Sequence, residues 1–282
     1  MFSHQNHHFI PRFLLQKWHT PPDDKLSCFR WESGRFLHDR YSAKSVAKVK
    51  SLYLIGASSL DDGNILEREY FAEKVESPAA VVHKLILANG ISCLDEENRR
   101  SWARFLLAQV VRTPDKVAHV RSVGSQLMDD LAVPDVLEKL SIPQSHKSAM
   151  YKFLVNNAPD FAGNYSLAHM PSAIEAQLNN DKLLSANWLL RRIKNTTVPL
   201  LISDRPIIYV GKIQSEFLIA LPISPFDFFI AASNPNMEKY LNRYSDKIFS
   251  TKVNCSTVYS ADRYIYARDE SHSKFVKRLF TK

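Results

Sequence analysis

The chain has 282 residues, 45% of them apolar and 23% charged, with a net charge of +8, enough polypeptide for a substantial core at an ordinary soluble composition. No apolar run approaches the length of a membrane span, and Met1-Phe2-Ser3-His4 lacks the basic start and apolar core of a secretory signal, so a cytoplasmic protein with no membrane attachment is expected. Three scattered cysteines (Cys28, Cys93, Cys255) with no CxxC pair argue against a disulfide framework and a thiolate zinc site, and read as reduced thiols.

Along the chain, Pro11 suits the first position of a short helix anchored by Phe13, Leu14 and Trp18 and ended by the residues from Thr20 to Asp24. Leu26 to Trp31 and Arg35 to Tyr41 flank Glu32-Ser33-Gly34 as a hairpin. Ile65 to Glu76 reads as a helix, with Ser77-Pro78 restarting a second one that stops at Asn89-Gly90. Ser92 and Asp95 resemble a capping box for a third helix, roughly Asp95 to Arg112, and Pro114 opens a fourth through about Leu131. A further helix is expected from Gln144 to Asn156. Beyond Leu183 come short β-rich runs: Asn187 to Leu190, Pro199 to Ser203, Ile207 to Val210, Phe217 to Leu221 and Phe226 to Ala232. A last helix over roughly Asn236 to Phe249 precedes a strand-like Arg263 to Ala267 and a basic, amphipathic tail from Ser273. The expected class is α+β, with a helical N-terminal and middle region (about 65–180) packed against a C-terminal antiparallel sheet (about 183–268) in one domain of residues 1–282.

Histidine is the side chain best suited to exchange protons near neutral pH. If residues 6–10 are extended, His7 and His8 face opposite sides; His8 then shares a side with Ile10 and Arg12 and is the candidate acid/base, leaving His7 to structural work. The alternative is that both satisfy backbone carbonyls. His4 and His8, four apart, offer a metal site as the lesser reading, with a divalent ion the only cofactor in view. Gln109 lies on the apolar stripe of its helix and needs a partner there. With Arg112 three residues on, it forms a polar pair aimed at a phosphate, or a polar clamp onto the backbone at Thr113-Pro114, or a pair holding Asp204. Asp204, after an apolar strand and before Pro206, either orients His8 or a metal, or caps the strand end through an Asx-turn. Glu69, Glu73 and Glu76 share a helix face, solvated by default, with Glu76 the one most worth testing. Arg112 and His119 fit the loose Arg-to-His spacing of dimeric helical ribonucleases, but Pro114 interrupts it and the β-rich half does not suit that fold. No GxSxG, Walker loop or dinucleotide fingerprint is present.

His7-His8-Phe9-Ile10-Pro11-Arg12-Phe13-Leu14, Gln109 to Pro114, Trp188, Ser203-Asp204-x-Pro206, Asn254 and Ala261-x-Arg263-Tyr264 together resemble the bacterial DUF4238 family, over nearly the whole chain. The chain departs from the family at Arg205, where Asn is usual. The resemblance implies a bacterial cytoplasmic protein of a family linked to defence against bacteriophage; it supplies no mechanism.

The net charge sits at the ends: residues 1–60 and 235–282 each carry +5, which leaves the middle at −2. Two basic ends are able to frame nucleic acid or a nucleotide, against a background reading of simple solubility. The leading expectation is a hydrolase of phosphodiesters or nucleotides, a nuclease-like defence effector, with His8 as acid/base, Arg12, Gln109 and Arg112 on the anionic group and Asp204 orienting. The second is a non-enzymatic module that senses nucleic acid or a phage protein. The third is an effector acting by protein contact alone.

Overall fold

The computed structural model describes residues 6–55, 64–130, 143–194 and 198–280. Helices and antiparallel sheets are both present, so the class is α+β. The described chain opens with β1 (Asn6–His8), then Pro11 leads into a one-turn helix α1 (Arg12–Leu15) and a 3₁₀ turn that buries Trp18. The hairpin falls where expected, as β2 (Leu26–Glu32) and β3 (Arg35–Tyr41). Its two turn residues, Ser33 (φ 51°) and Gly34 (φ 76°), both take the positive φ that a tight two-residue hairpin loop requires. A short strand, β4 (Lys48–Lys50), then returns beside β1 and sets His8 opposite Lys48.

A π-helix over Leu66–Glu76 continues without a break into α2 (Ser77–Asn89). Ser77 is therefore not an N-cap. Its backbone is helical, and its Oγ donates to the Ala72 carbonyl at 2.9 Å. The wide π turns accommodate Pro78, which has no N–H to give, so the proline marks a change of pitch rather than a restart. Gly90 (φ 83°) stops α2. Asp95, not Ser92, caps α3 (Glu96–Val111), accepting from the Asn98 N–H at 2.8 Å. Pro114 opens α4 (Pro114–Asp130), which packs against α5 (Gln144–Ala168). α5 runs through Pro159 and well past the expected end at Asn156, and α6 (Met170–Asn179) was not foreseen.

The β-rich part holds β5 (Asn187–Arg192), β6 (Ile202–Ser203), β7 (Ile208–Gly211), β8 (Phe217–Pro222) and β9 (Asp227–Ala232). The late helix is two: a short α7 (Met237–Leu241), then α8 (Asp246–Ser260), whose cap is Ser245. β10 (Tyr264–Ala267) and α9 (Ser273–Leu279) close the described chain.

The strands do not form one C-terminal sheet. One four-stranded sheet, β5-β9-β8-β7, is local in sequence; the other, β3-β2-β10-β6, joins the N-terminal hairpin to the far end of the chain. Burial explains this. Ile265 and Tyr266 point to opposite faces of β10 and both are buried, so that strand must be interior to a sheet and covered on both sides. Ile265 packs in a cluster with Phe29, Val258 and Val276, while Tyr266 belongs to the main core with Trp18, Phe71, Trp102 and Phe105. The Trp18 indole N–H donates to the Leu200 carbonyl at 2.8 Å, tying the chain start to the segment before β6. Among the described residues, no helix is long and apolar enough to cross a membrane.

Candidate functional site

Gln109 and Arg112, one turn apart on α3 and at its end, converge on the carbonyls of the β1 exit. Gln109 Nε2 donates to the Phe9 carbonyl at 3.1 Å, and Arg112 Nε donates to the same oxygen at 3.0 Å. Arg112 Nη2 donates to the His8 carbonyl at 2.7 Å and to Glu76 Oε1 at 2.6 Å. The guanidinium is fully buried, over the Phe71 ring at 5.3 Å, and the Arg112 carbonyl accepts the Tyr53 hydroxyl at 2.7 Å. Burial opposes its charge, and Glu76 leads the groups that hold the proton on. The pair clamps backbone, but at His8 and Phe9 rather than at Thr113-Pro114, and it does not hold Asp204; the guanidinium is closed to solvent. Three polar atoms around it are buried without hydrogen bonds, namely Arg112 Nη1, Gln109 Oε1 and Glu67 Oε2. Burial pushes Glu67 up to about 7.

The two early histidines separate as the extended reading requires. His7 is buried against Tyr53, ring on ring at 5.5 Å. Its Nδ1 accepts the Tyr53 N–H at 2.9 Å, so Nε2 carries the proton and donates to Asn64 Oδ1 at 3.0 Å. Burial lowers its pKa. His8 is half-buried. Its Nε2 donates to the Lys44 carbonyl at 3.2 Å, and its Nδ1 has no hydrogen-bond partner among the described residues. Burial lowers its pKa as well, with Glu76 pulling upward and Arg12 and Lys48 downward. Arg12 itself is exposed.

Asp204 follows β6 and is buried. Its Oδ1 accepts from the Asp262 N–H at 2.8 Å, and its Oδ2 accepts from the N–H groups of Arg263 at 2.6 Å and Tyr264 at 3.0 Å. Burial pushes its carboxyl up while these three donors pull the other way. Asp204 therefore caps the start of β10, across the sheet from its own strand, rather than turning back on its local backbone. It orients no histidine: its hydrogen bonds go to these backbone groups.

An open cleft of about 640 Å³ lies on the other side of the β1 exit. Phe9, Ala47 and Lys48 form one rim, Arg30 and Tyr41 come from the hairpin, and Asp115, Arg205, Arg263 and Tyr264 close the far side. Asp204 lines it too, as does Phe9, whose carbonyl Gln109 and Arg112 hold. Its charges are mostly paired. Arg30 Nη1 meets Asp39 Oδ2 at 2.7 Å, and Arg205 Nη2 bridges Asp115 Oδ2 (3.1 Å) and Asp262 Oδ1 (3.5 Å). Lys48 makes no ion pair among the described residues, and Arg263, 77% exposed, has only a 3.9 Å approach to Asp262. Tyr264 and Tyr266 stack with ring centres 6.4 Å apart. The Cys28 thiol is pushed up to about 12 by burial and is unreactive there.

Of the candidate residues, the fold brings Gln109, Arg112 and the His8 carbonyl together, sets the His8 ring across from Lys48 at the cleft rim, and leaves Asp204 in the cleft wall with its oxygens occupied. Glu76 joins the clamp, while Glu69 stays on the surface. Arg112 is closed off from any partner subunit, so the ribonuclease-like spacing with His119 has no accessible arginine. No group of three or more histidine, cysteine or acidic side chains among the described residues is placed to hold a metal, and His4 lies outside them. Sequence reasoning missed Arg30, Tyr41, Lys48, Asp115 and Asp262 as cleft residues. Arg263 and Tyr264 were visible only as family marks, and Arg205 only as a departure.

The model of the family described as "Protein of unknown function (DUF4238)" matches residues 6–271. The chain belongs to the DUF4238 family. No curated protein and no solved structure matches it. Every stretch quoted above for the resemblance lies within the DUF4238 match, from the His7-His8 strand to Tyr264.

Proposed function

We propose that the protein is a recognition module that takes a nucleotide, or the end of a single nucleic-acid strand, in the cleft between Lys48 and Arg263. The observation that carries this reading is one open cleft that joins tyrosine rings to two cations, Lys48 without an ion pair among the described residues and Arg263 largely exposed with a single 3.9 Å contact to Asp262. Its volume is in the range of small-ligand sites, the cations suit phosphate, and every base has a face that stacks on an aromatic ring. Binding rather than hydrolysis fits the rest of the chemistry, because Gln109, Arg112 and Asp204 are committed to backbone groups. In a bacterial cytoplasm such a module would serve antiviral defence by sensing nucleotides or nucleic acid.

One observation favours a second reading, a hydrolase. The Lys44 carbonyl fixes the Nε2 proton of His8, which leaves Nδ1 as a free base one residue from the cleft rim. Titrating labelled nucleotides into the protein, and then following their turnover with and without divalent metals, separates the two. The recognition reading expects salt-sensitive binding that survives His8→Ala and is lost in Lys48→Glu/Arg263→Glu. Turnover that disappears in His8→Ala establishes the hydrolase instead.

A further inference from the structure

Beyond the cleft, the most unusual surface is the outer side of α7 and α8. Tyr240 is 51% exposed, Ile248 50% and Tyr259 64%, so three of the large apolar side chains left in solvent lie on this one stretch. Ile248, Lys252 and Tyr259 fall at helical spacing on one side of α8, while Phe249, Val253 and Val258 are buried on the other. Lys239, Arg243, Lys247 and Lys252 are all exposed, and none makes an ion pair among the described residues. The nearby acid Asp246 is already taken, by Arg191 at 2.7 Å and the Lys194 N–H at 2.8 Å. That leaves Glu238 as the one uncommitted carboxylate on α7 and α8. Tyr240 and Tyr244 pack edge to face at 5.6 Å with their hydroxyls joined at 3.1 Å, and Lys252 Nζ sits over the Tyr244 ring at 5.4 Å.

This stripe leads to the cleft. α8 is roughly 22 Å long at 1.5 Å per residue. It ends at Ser260, and Asp262 and Arg263 immediately beyond it line the cleft. We propose that the exposed side of α7 and α8 is a binding track for single-stranded nucleic acid, which carries a strand away from the cleft. The class of ligand rests on the cleft reading; the location rests on the surface itself. Cations and aromatic rings exposed together on one surface suit a strand of phosphates and unpaired bases, whereas a duplex hides its base faces from tyrosine. An acidic protein surface would satisfy the lysines but gives the exposed rings no comparable role.

The test uses fluorescence anisotropy of the full chain with a labelled single strand of roughly 15 nucleotides, at the long end of common site sizes. A labelled mononucleotide and anionic vesicles run in parallel. Two surface variants are compared with wild type: Lys239→Glu/Arg243→Glu/Lys247→Glu/Lys252→Glu and Tyr240→Ala/Tyr259→Ala. Both are expected to keep the wild-type melting temperature and mononucleotide affinity. Both are expected to weaken strand binding about tenfold or more. At about 0.7 per phosphate contact on a single strand, the four-charge variant is expected to lower the salt slope by up to about 3. Unchanged strand affinity in both variants overturns the track and leaves the cleft reading standing. Wild-type protein that binds no mononucleotide, yet holds the strand through these residues, overturns the cleft reading and leaves the track. Vesicle binding in place of strand binding overturns the track in favour of a membrane surface.

Discussion

Replacing Arg112 distinguishes a structural clamp from a substrate-gripping residue. In Arg112→Ala the His8 carbonyl loses a donor at 2.7 Å, the Phe9 carbonyl keeps only Gln109, and the Glu76 carboxylate loses its 2.6 Å partner while mostly buried. Removing one member of a buried ion pair costs about 3–5 kcal/mol, because the partner's charge stays behind. The vacated volume beside Phe71 adds to this. Arg112→Lys recovers little, since one ammonium cannot serve two carbonyls and a carboxylate from the geometry of a planar fork. For a chain of this size each kcal/mol moves the melting temperature by about 2–4 °C, so a fall of about 6–20 °C is expected in Arg112→Ala, with Arg112→Lys close behind. Differential scanning calorimetry measures it. A melting temperature within about 2 °C of wild type in both variants refutes the clamp and returns Arg112 to the pool of ligand-binding residues.

Three further outcomes follow from buried groups. Asp204→Asn keeps one acceptor oxygen but turns an amide N–H toward one or two of the three backbone donors; a loss of about 2–4 kcal/mol in urea unfolding is expected, and an unchanged midpoint refutes the cap. Glu67, pushed up to about 7 by burial, binds its proton more tightly folded than unfolded. Its contribution is therefore fullest below the unfolded value near 4.5 and is lost as pH rises to about 7, so Glu67→Gln gains on wild type across that window by up to about 3 kcal/mol. Equal pH profiles for the two proteins contradict this. His83, stacked on Trp102 with Nε2 donating to the Ile223 carbonyl at 2.7 Å, is pulled down to about 4 by burial. Its folded-state pKa is depressed, so stability is lost as pH falls from the ordinary value of 6.5 toward 4. Proton NMR of the histidine rings is expected to show one that stays neutral at pH 5, and a His83 resonance titrating near 6.5 contradicts the assignment.

The local elements were legible wherever one residue fixes the backbone: the Ser33-Gly34 turn, the Gly90 stop and the Pro114 start all fall where the sequence puts them. Long-range consequences were not. Nothing in Tyr264 to Ala267 announces that the strand pairs with Ser27 to Arg30, although its unbroken burial on both faces is the physical trace of an interior strand. Ser77-Pro78 looks like a restart, yet Pro78 lies inside a continuous helical run. The expected late helix, roughly Asn236 to Phe249, runs across Ser245, whereas Ser245 caps a new helix whose buried side extends from Phe249 to Val258. For the candidate site, the sequence offered Gln109, Arg112 and Asp204 two tasks each, a ligand contact or a structural one. Gln109, Arg112 and Asp204 do form specific polar contacts across the chain, with backbone in each case and, for Arg112, with the Glu76 carboxylate as well. Lys48 has no signature in the sequence as a cleft cation, and Arg263 only that of a family mark, because the fold alone shows which acids are occupied.

The recognition account is tested most directly by mapping amide chemical-shift changes on isotopically labelled protein as a nucleotide is added. The account predicts saturable shifts concentrated at Tyr41, Lys48, Arg263 and Tyr264. Shifts centred on another surface, or none at saturating nucleotide, contradict it.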